Sequence, residues 1–286
     1  MPTNPPLPPI LVADLFPTIS DRLLELLRSL EPAEWHLPTS SSRRMVKDVA
    51  SHLLDGSLRR LSMQRDRYRS PDRNDGLRDE ESLVEFLNRL NADWDRATRR
   101  LSPQVLIELI EWADAGVAAL FQSLDPWGTA IFPVAWAGEL HSPNWMDVAR
   151  EFTEKWHHTQ QIFEATGRES TIVERRLMNP CLETFLRALP WTYQDFDAAD
   201  GSTLAIDVTG EAGGTWHLER TSDGWQQVPS ARRTPRATVT LSALDLWRLV
   251  TKLRSSAEVR QLLPAIRIDG DHDLADRFLT MTSMMV

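Results

Sequence analysis

The chain has 286 residues, 42% of them hydrophobic and 26% charged, which excludes wholesale disorder and, at roughly 100–200 residues per domain, points to two domains. Its 32 Lys and Arg stand against 41 Asp and Glu, a net charge of -9, so no nucleic-acid partner gripped through its phosphates is expected. The single cysteine, Cys181, cannot form an internal disulfide, the start (Met1 to Pro9) is Pro-rich without a basic-then-apolar leader, and no apolar stretch approaches the ~20 residues of a membrane span; a cytoplasmic protein without a membrane partner is expected.

In chain order, the first two-thirds carry a helical apolar period. Leu15, Ile19, Leu23, Leu26, Leu27 and Leu30 define a first helix, which Pro32 stops. A polar loop, Glu34 to Arg44, leads to a second helix from about Met45 to Tyr68, striped by Val46, Val49, Ala50, Leu53, Leu54, Ser57 and Leu61. Ser70-Pro71-Asp72 and Asn74-Asp75-Gly76 mark a turn region. Leu83, Phe86, Leu87, Leu90 and Trp94 predict a third helix, and Ser102-Pro103 starts a fourth that reaches about Leu124. An irregular loop from Gly128 to His141 precedes Ser142-Pro143, which opens a fifth helix to Ala165, stopped at Gly167. A shorter sixth covers about Glu174 to Ala188.

Beyond Asp200-Gly201 the period falls to two. Leu204, Ile206 and Val208 predict a strand, as do Thr215 to Arg220, Trp225 to Val228, Ala237 to Leu241 and Ile266 to Ile268. Ser242 caps a helix through Val250, and a last helix spans Leu274 to Thr280. The fold class predicted is multidomain, α and α+β: a helical bundle over residues 10–190 and a small α+β domain over 201–286, with the linker near 190–201. The second domain is expected to supply no metal ligand. His217 alternates with Trp216 on its strand, and His217 is expected to be the one facing solvent.

Among seven histidines, two neighbourhoods offer ligand company. One is Asp48 to Gly56 around His52; the other is Glu151 to Gln161 around His157 and His158. Glu154 and His158 lie four apart, one turn above each other on a helix face, where a carboxylate and an imidazole can share one ion. His52 from a facing helix completes two histidines and one carboxylate. Three protein ligands leave a position open, the pattern of a catalytic metal site; the set suits zinc, with nickel, iron and manganese compatible. Gly56, one turn past His52, leaves space beside the imidazole. The opposing reading is that both sets are solvated faces, because the apolar stripe Val148, Phe152, Thr159, Phe163 points roughly 140° from Glu154 and His158. His157, three from Glu154, competes with His158, which is preferred because Gln161, Ile162 and Ala165 continue its stripe. His36, His141, His217 and His272 have no ligand-spaced partner, and Cys181 reads as packing.

"VKDVASHLLDG" followed by "REFTEKWHHTQQIFEATG" resembles the DinB-like metal-binding four-helix bundles, and within them the mycothiol-dependent maleylpyruvate isomerase group. The stretch "LEPAEWHLPTSSSRRMVKDVASHL" follows the same pattern, although Arg44 stands where many members carry Trp. "ATVTLSALDLWRLV…IRIDGDHDLADRFL" resembles sterol carrier proteins. The resemblance implies an up-down bundle with extra helices, a sterol-carrier-like C-terminal domain, and a divalent metal, usually zinc, on His52, Glu154 and His158. It also implies a low-molecular-weight thiol as cofactor, with a small electrophile as substrate for isomerisation or S-transfer. Trp127, Trp136 and Trp156 are candidate walls of the substrate site, the first two with the Gly128–His141 loop, although a Trp at such places is more often core packing. Two other classes remain open at this point: a metal- or apolar-ligand-binding stress module without catalysis, and a metal-dependent hydrolase.

Overall fold

The computed structural model of the protein describes residues 7–40, 44–70, 82–231, 233–251, 256–262 and 264–283. It is a multidomain α and α+β protein. Its contacts divide it into two compact units: Leu11–Ile131 with Glu151–Ile172, and Phe132–Arg150 with Val173–Val286 and Met1–Ile10.

The first unit is a helical bundle. Its helices are α1 (Phe16–Arg28), α2 (Val46–Arg60), α3 (Leu83–Thr98), α4 (Pro103–Ser123) and, from Glu151 onward, α5 (Asn144–Thr166). The starts follow local chemistry. Pro103 sits in the first turn of α4, and Ser102 Oγ accepts the Val105 N–H at 3.3 Å. At α3, Ser82 and Glu85 cap each other's backbone. The predicted second helix ends earlier as an α-helix, at Arg60, and continues as a π turn over Leu61–Arg65, where the Asp66 N–H reaches back five residues to the Leu61 carbonyl. The turn expected around residues 70–76 lies, beyond Ser70, outside the described residues.

Ile19, Leu23, Leu26 and Leu27 bury the inner face of α1, and Phe16 meets Phe121 of α4 and Phe152 of α5 edge-on, with centroids 4.8 and 5.5 Å apart. α2 packs on α4 and carries α3 on another side. The interior also holds charge. Arg60 of α2, fully buried, donates to Glu151 of α5 at 2.9 Å and to Gln64 at 3.0 Å. Asp114 of α4 accepts from Ser57 of α2 at 2.8 Å on one oxygen and from Lys155 of α5 on the other, with all three side chains buried. These pairs tie α2, α4 and α5 to one register.

At the rim of the bundle, Arg168 holds Glu34 through both carboxylate oxygens and donates to the Ser29 carbonyl. The Arg168 hydrogen bonds, aided by the Glu31 N–H, lower the Glu34 pKa to about 2. A carboxyl depressed in the folded state stabilises it above its unfolded pKa of about 4.3, and that contribution is lost as pH falls from there through about 2. The expected result is that Glu34→Gln narrows the gap in urea midpoint between pH 5 and pH 2. Equal pH dependence in variant and parent would remove Glu34 from the acid response.

In the second unit a five-stranded mixed sheet has the order β3-β2-β1-β4-β5. The strands are β1 (Thr203–Thr209), β2 (Gly214–Thr221), β3 (Gly224–Val228), β4 (Ala237–Ser242) and β5 (Arg267–Gly270). Only the β1–β4 pair is parallel. Leu204, Ile206, Val208, Leu218, Val239 and Leu241 are buried, against α8 (Ala243–Val250) and α10 (His272–Phe278), which pack on the sheet. α6 (Arg175–Leu186), α7 (Leu189–Thr192) and α9 (Ser256–Leu262) complete the unit, the last two being too short to show a period. Asn179 of α6 donates to the Ala212 carbonyl, and Tyr193 Oη to that of Leu274. Gly270 turns the chain from β5 into α10 at φ +90, where a Cβ would lie 2.3 Å from the Arg236 oxygen.

The expectation that His217 faces solvent is corrected. His217 and Trp216 are both half-buried, and His217 Nδ1 is shielded from water. β2 is an inner strand, so Ala205 and Val228 flank His217 from both neighbours.

Candidate metal centre

His52 enters the bundle on α2. The Asp48 carboxylate accepts the Met45 N–H at 3.0 Å and sets the start of the helix six residues before the imidazole. On α3, Trp94 Nε1 donates to the Ser51 carbonyl at 2.8 Å, and Ser51 Oγ donates to Thr98 Oγ1 at 2.7 Å. These bonds hold α3 on the backbone next to His52. α5 brings Glu154 and His158 at their one-turn spacing, with His158 Nε2 3.5 Å from Glu154 Oε2.

The three side chains converge: one ligand atom from each lies within 4.8 Å of the other two. The His52 and His158 rings meet edge-on with centroids 4.8 Å apart. Two donors of one tetrahedral ion, each about 2.1 Å from it, are about 3.4 Å apart, so a pair at the full 4.8 Å closes by about 0.7 Å per side chain. His157 does not belong to this set; its ring packs against that of His158 at 4.8 Å. The other histidines, Cys181 and the sheet contribute no ligand atom among the described residues.

The reading of solvated faces is corrected. His158 is only 8% exposed, His157 7%, and His52 and Glu154 are half-buried. Almost every residue of α5 from Phe152 to Phe163 is buried, because neighbours enclose the helix on more sides than its apolar stripe accounts for. Burial pushes the His52 pKa well below the usual imidazole range, and the charges of His158, Arg44, Arg59 and His157 act in the same direction. The imidazole is therefore neutral at pH 7, the form that offers a lone pair to a cation. Two imidazoles and a carboxylate, half shielded from water, are a donor set that fits a divalent ion. At Gly56, one turn past His52, nothing lies within 4 Å of an added Cβ. One turn along, Asp55 pairs with Arg59 at 3.1 Å.

Of the candidate walls, Trp156 is a core residue, fully buried with Nε1 donating to the Ile172 carbonyl at 2.7 Å. Trp127 is 68% exposed, and Trp136 is half-buried in a 3-10 turn, Ala135–Ala137. The sequence reading left Gln161 without a role. Its Oε1 lies 2.9 Å from His158 Nδ1, and the signal for it was the i, i+3 spacing.

No protein-family model matches the chain, and no curated protein matches it. Among solved structures the chain is similar to the mycothiol-dependent maleylpyruvate isomerase, with a TM-score of 0.50 and 14% identity over 83% of this chain and 86% of that one. A mutant of the same isomerase aligns at a TM-score of 0.47 and 13% identity. At this identity the first likeness is one of fold, and the second adds no argument. No described helix is long and apolar enough to cross a membrane.

Proposed function

We propose that the protein is a divalent-metal-dependent enzyme that activates a low-molecular-weight thiol, of the mycothiol kind, for isomerisation or S-transfer on a small electrophile. The observation that carries this reading is the convergence of His52, Glu154 and His158 in a bundle whose fold is that of a mycothiol-dependent isomerase. When bound, a divalent ion held by these residues, zinc in this proposal, would supply positive charge that lowers the pKa of a thiol beside it.

The chain's own residues do the rest. His52 and His158 would provide two imidazole donors, and Glu154 a carboxylate oxygen. The lack of a side chain at Gly56, with nothing within 4 Å of an added Cβ, is compatible with an incoming group on that face of α2. Cys181 is not the nucleophile: it is fully buried, its Sγ faces the Leu177 carbonyl at 3.4 Å, and burial pushes its pKa well above the usual thiol range. The attacking sulfur therefore comes from the cofactor. A thiol bound at the centre would supply a nucleophile whose reversible addition to a conjugated cis alkene permits rotation and returns the thiol unconsumed, or, with protonation of the adduct, gives the thioether and consumes it.

A free thiol with a pKa near 8.5 is only about 3% thiolate at pH 7, so complete ionisation contributes at most roughly 30-fold. The remainder comes from holding thiol and electrophile together. We also propose that the sheet with its helices is a sterol-carrier-like unit, a reading supported by its mixed five-stranded order with α8 and α10 packed on the sheet.

The test is turnover of a conjugated cis-enone acid by the zinc-loaded protein with mycothiol, glutathione or no thiol. Turnover that requires the thiol is expected, and Cys181→Ser is expected to keep it within about twofold. Hydrolytic turnover without thiol, or loss of activity in Cys181→Ser with zinc still bound, overturns the proposal.

A further inference from the structure

Gln161 lies one turn beyond His158 on α5. It is 4% exposed, and its Oε1 is 2.9 Å from His158 Nδ1, on the side of the ring away from Glu154. An amide oxygen only accepts, so this contact requires a proton on Nδ1. With a single ring proton there, Nε2 carries the lone pair, and Nε2 is the nitrogen beside the Glu154 carboxylate. Without that acceptor, Glu154 would draw the proton onto Nε2, since a carboxylate 3.5 Å away is the stronger acceptor. The proton would then stand where the cation has to bind. The buried setting sharpens the choice, because few waters compete for Nδ1.

We propose that Gln161 is the positioning residue of the centre: it locks His158 in the Nδ1–H tautomer and so presents Nε2 to the metal together with Glu154 and His52. The inference rests on the reading of the three residues as a metal centre. Partners of this kind set ligand orientation, and their loss typically costs 10–100-fold in metal affinity.

Two measurements separate this inference from that reading. The first is the 15N spectrum of the metal-free protein at pH 7.5, with the His158 signals identified by their loss in His158→Ala. A protonated Nδ1 and a bare Nε2 are expected in the parent. A proton on Nε2 overturns the proposal, whether or not metal binds. The second is zinc affinity by competition with a chromophoric chelator. Gln161→Leu, of similar volume and without an acceptor, is expected to bind zinc 10–100-fold more weakly and to move the His158 proton to Nε2. Gln161→Glu, which restores an acceptor, is expected to return affinity to the parent's level or above. A purely structural Gln161 would lower the melting temperature in both variants and leave the tautomer and the rescue pattern unmoved. If Gln161→Leu does not fold, the parent spectrum and the glutamate variant decide the matter. Failure of the parent to bind zinc ends the metal reading, whereas tight zinc binding by Gln161→Leu ends only this one.

Discussion

His158→Ala is expected to abolish retention of the divalent ion, with a loss in zinc affinity of more than about a hundredfold, beyond what loss of an outer-shell partner costs. His158 is the most buried of the three converging side chains proposed as ligands and the one next to both others: its Nε2 is 3.5 Å from Glu154, and its ring is edge-on to His52. Removing it leaves one half-buried imidazole and one half-buried carboxylate, too few donors to compete with water and buffer. The effect also has a thermodynamic signature. An ion that binds only the folded state stabilises it by about 2.7 kcal/mol at a hundred times its dissociation constant. Zinc should therefore raise the melting temperature of the parent, EDTA should reverse the rise, and neither should move that of His158→Ala. Elemental analysis after dialysis gives the stoichiometry directly. One zinc per chain in the dialysed variant would falsify the assignment.

The second large effect is on stability. Asp114→Ala is expected to cost about 3–5 kcal/mol, because it leaves the Lys155 ammonium buried without its counter-charge. The Ser57 hydroxyl loses its acceptor in the same step. Lys155 is 6% exposed and reaches Asp114 from a different helix, so it cannot easily turn to water without disturbing α5. The pair is not an optimum of stability. Replacing both partners with apolar residues, Asp114→Leu with Lys155→Met, is expected to recover most of the loss, since desolvation of two charges offsets much of their attraction. Urea unfolding measures both outcomes as midpoint shifts at constant slope. A single variant that loses less than about 1 kcal/mol would show that water reaches Lys155 after all.

Much of this protein is determined locally, by features a linear reading detects. The capping of α3 by Ser82 and Glu85, the proline start of α4, the stop of α5 at Gly167 and the change of period past residue 201 need nothing beyond neighbouring residues. The spacing of Glu154 and His158 is also local, because 3.6 residues per turn puts i and i+4 on one face whatever surrounds the helix. His52 could be proposed as their partner only by supposing that α2 faces α5, and here the resemblance to known bundles contributed what spacing could not.

Burial was decided by the tertiary structure. The wheel of α5 shows one apolar stripe, yet Lys155, His157, His158, Gln160 and Gln161 are all buried, because α1, α2 and α4 contribute partners to that helix and Ile172 caps Trp156. Asp114 and Lys155 are 41 positions apart, Arg60 and Glu151 91 apart, and no pattern within a single helix announces such pairs. The same holds for Trp156, whose choice between wall and core only packing settled in favour of the core, and for His217, whose half-burial depends on the strands beside it. Hydrophobic periodicity reports which face a helix must bury. Which polar side chains are buried along with it depends on how many neighbours enclose the helix and whether each charge meets its counter-charge, and that is settled only when the helices pack.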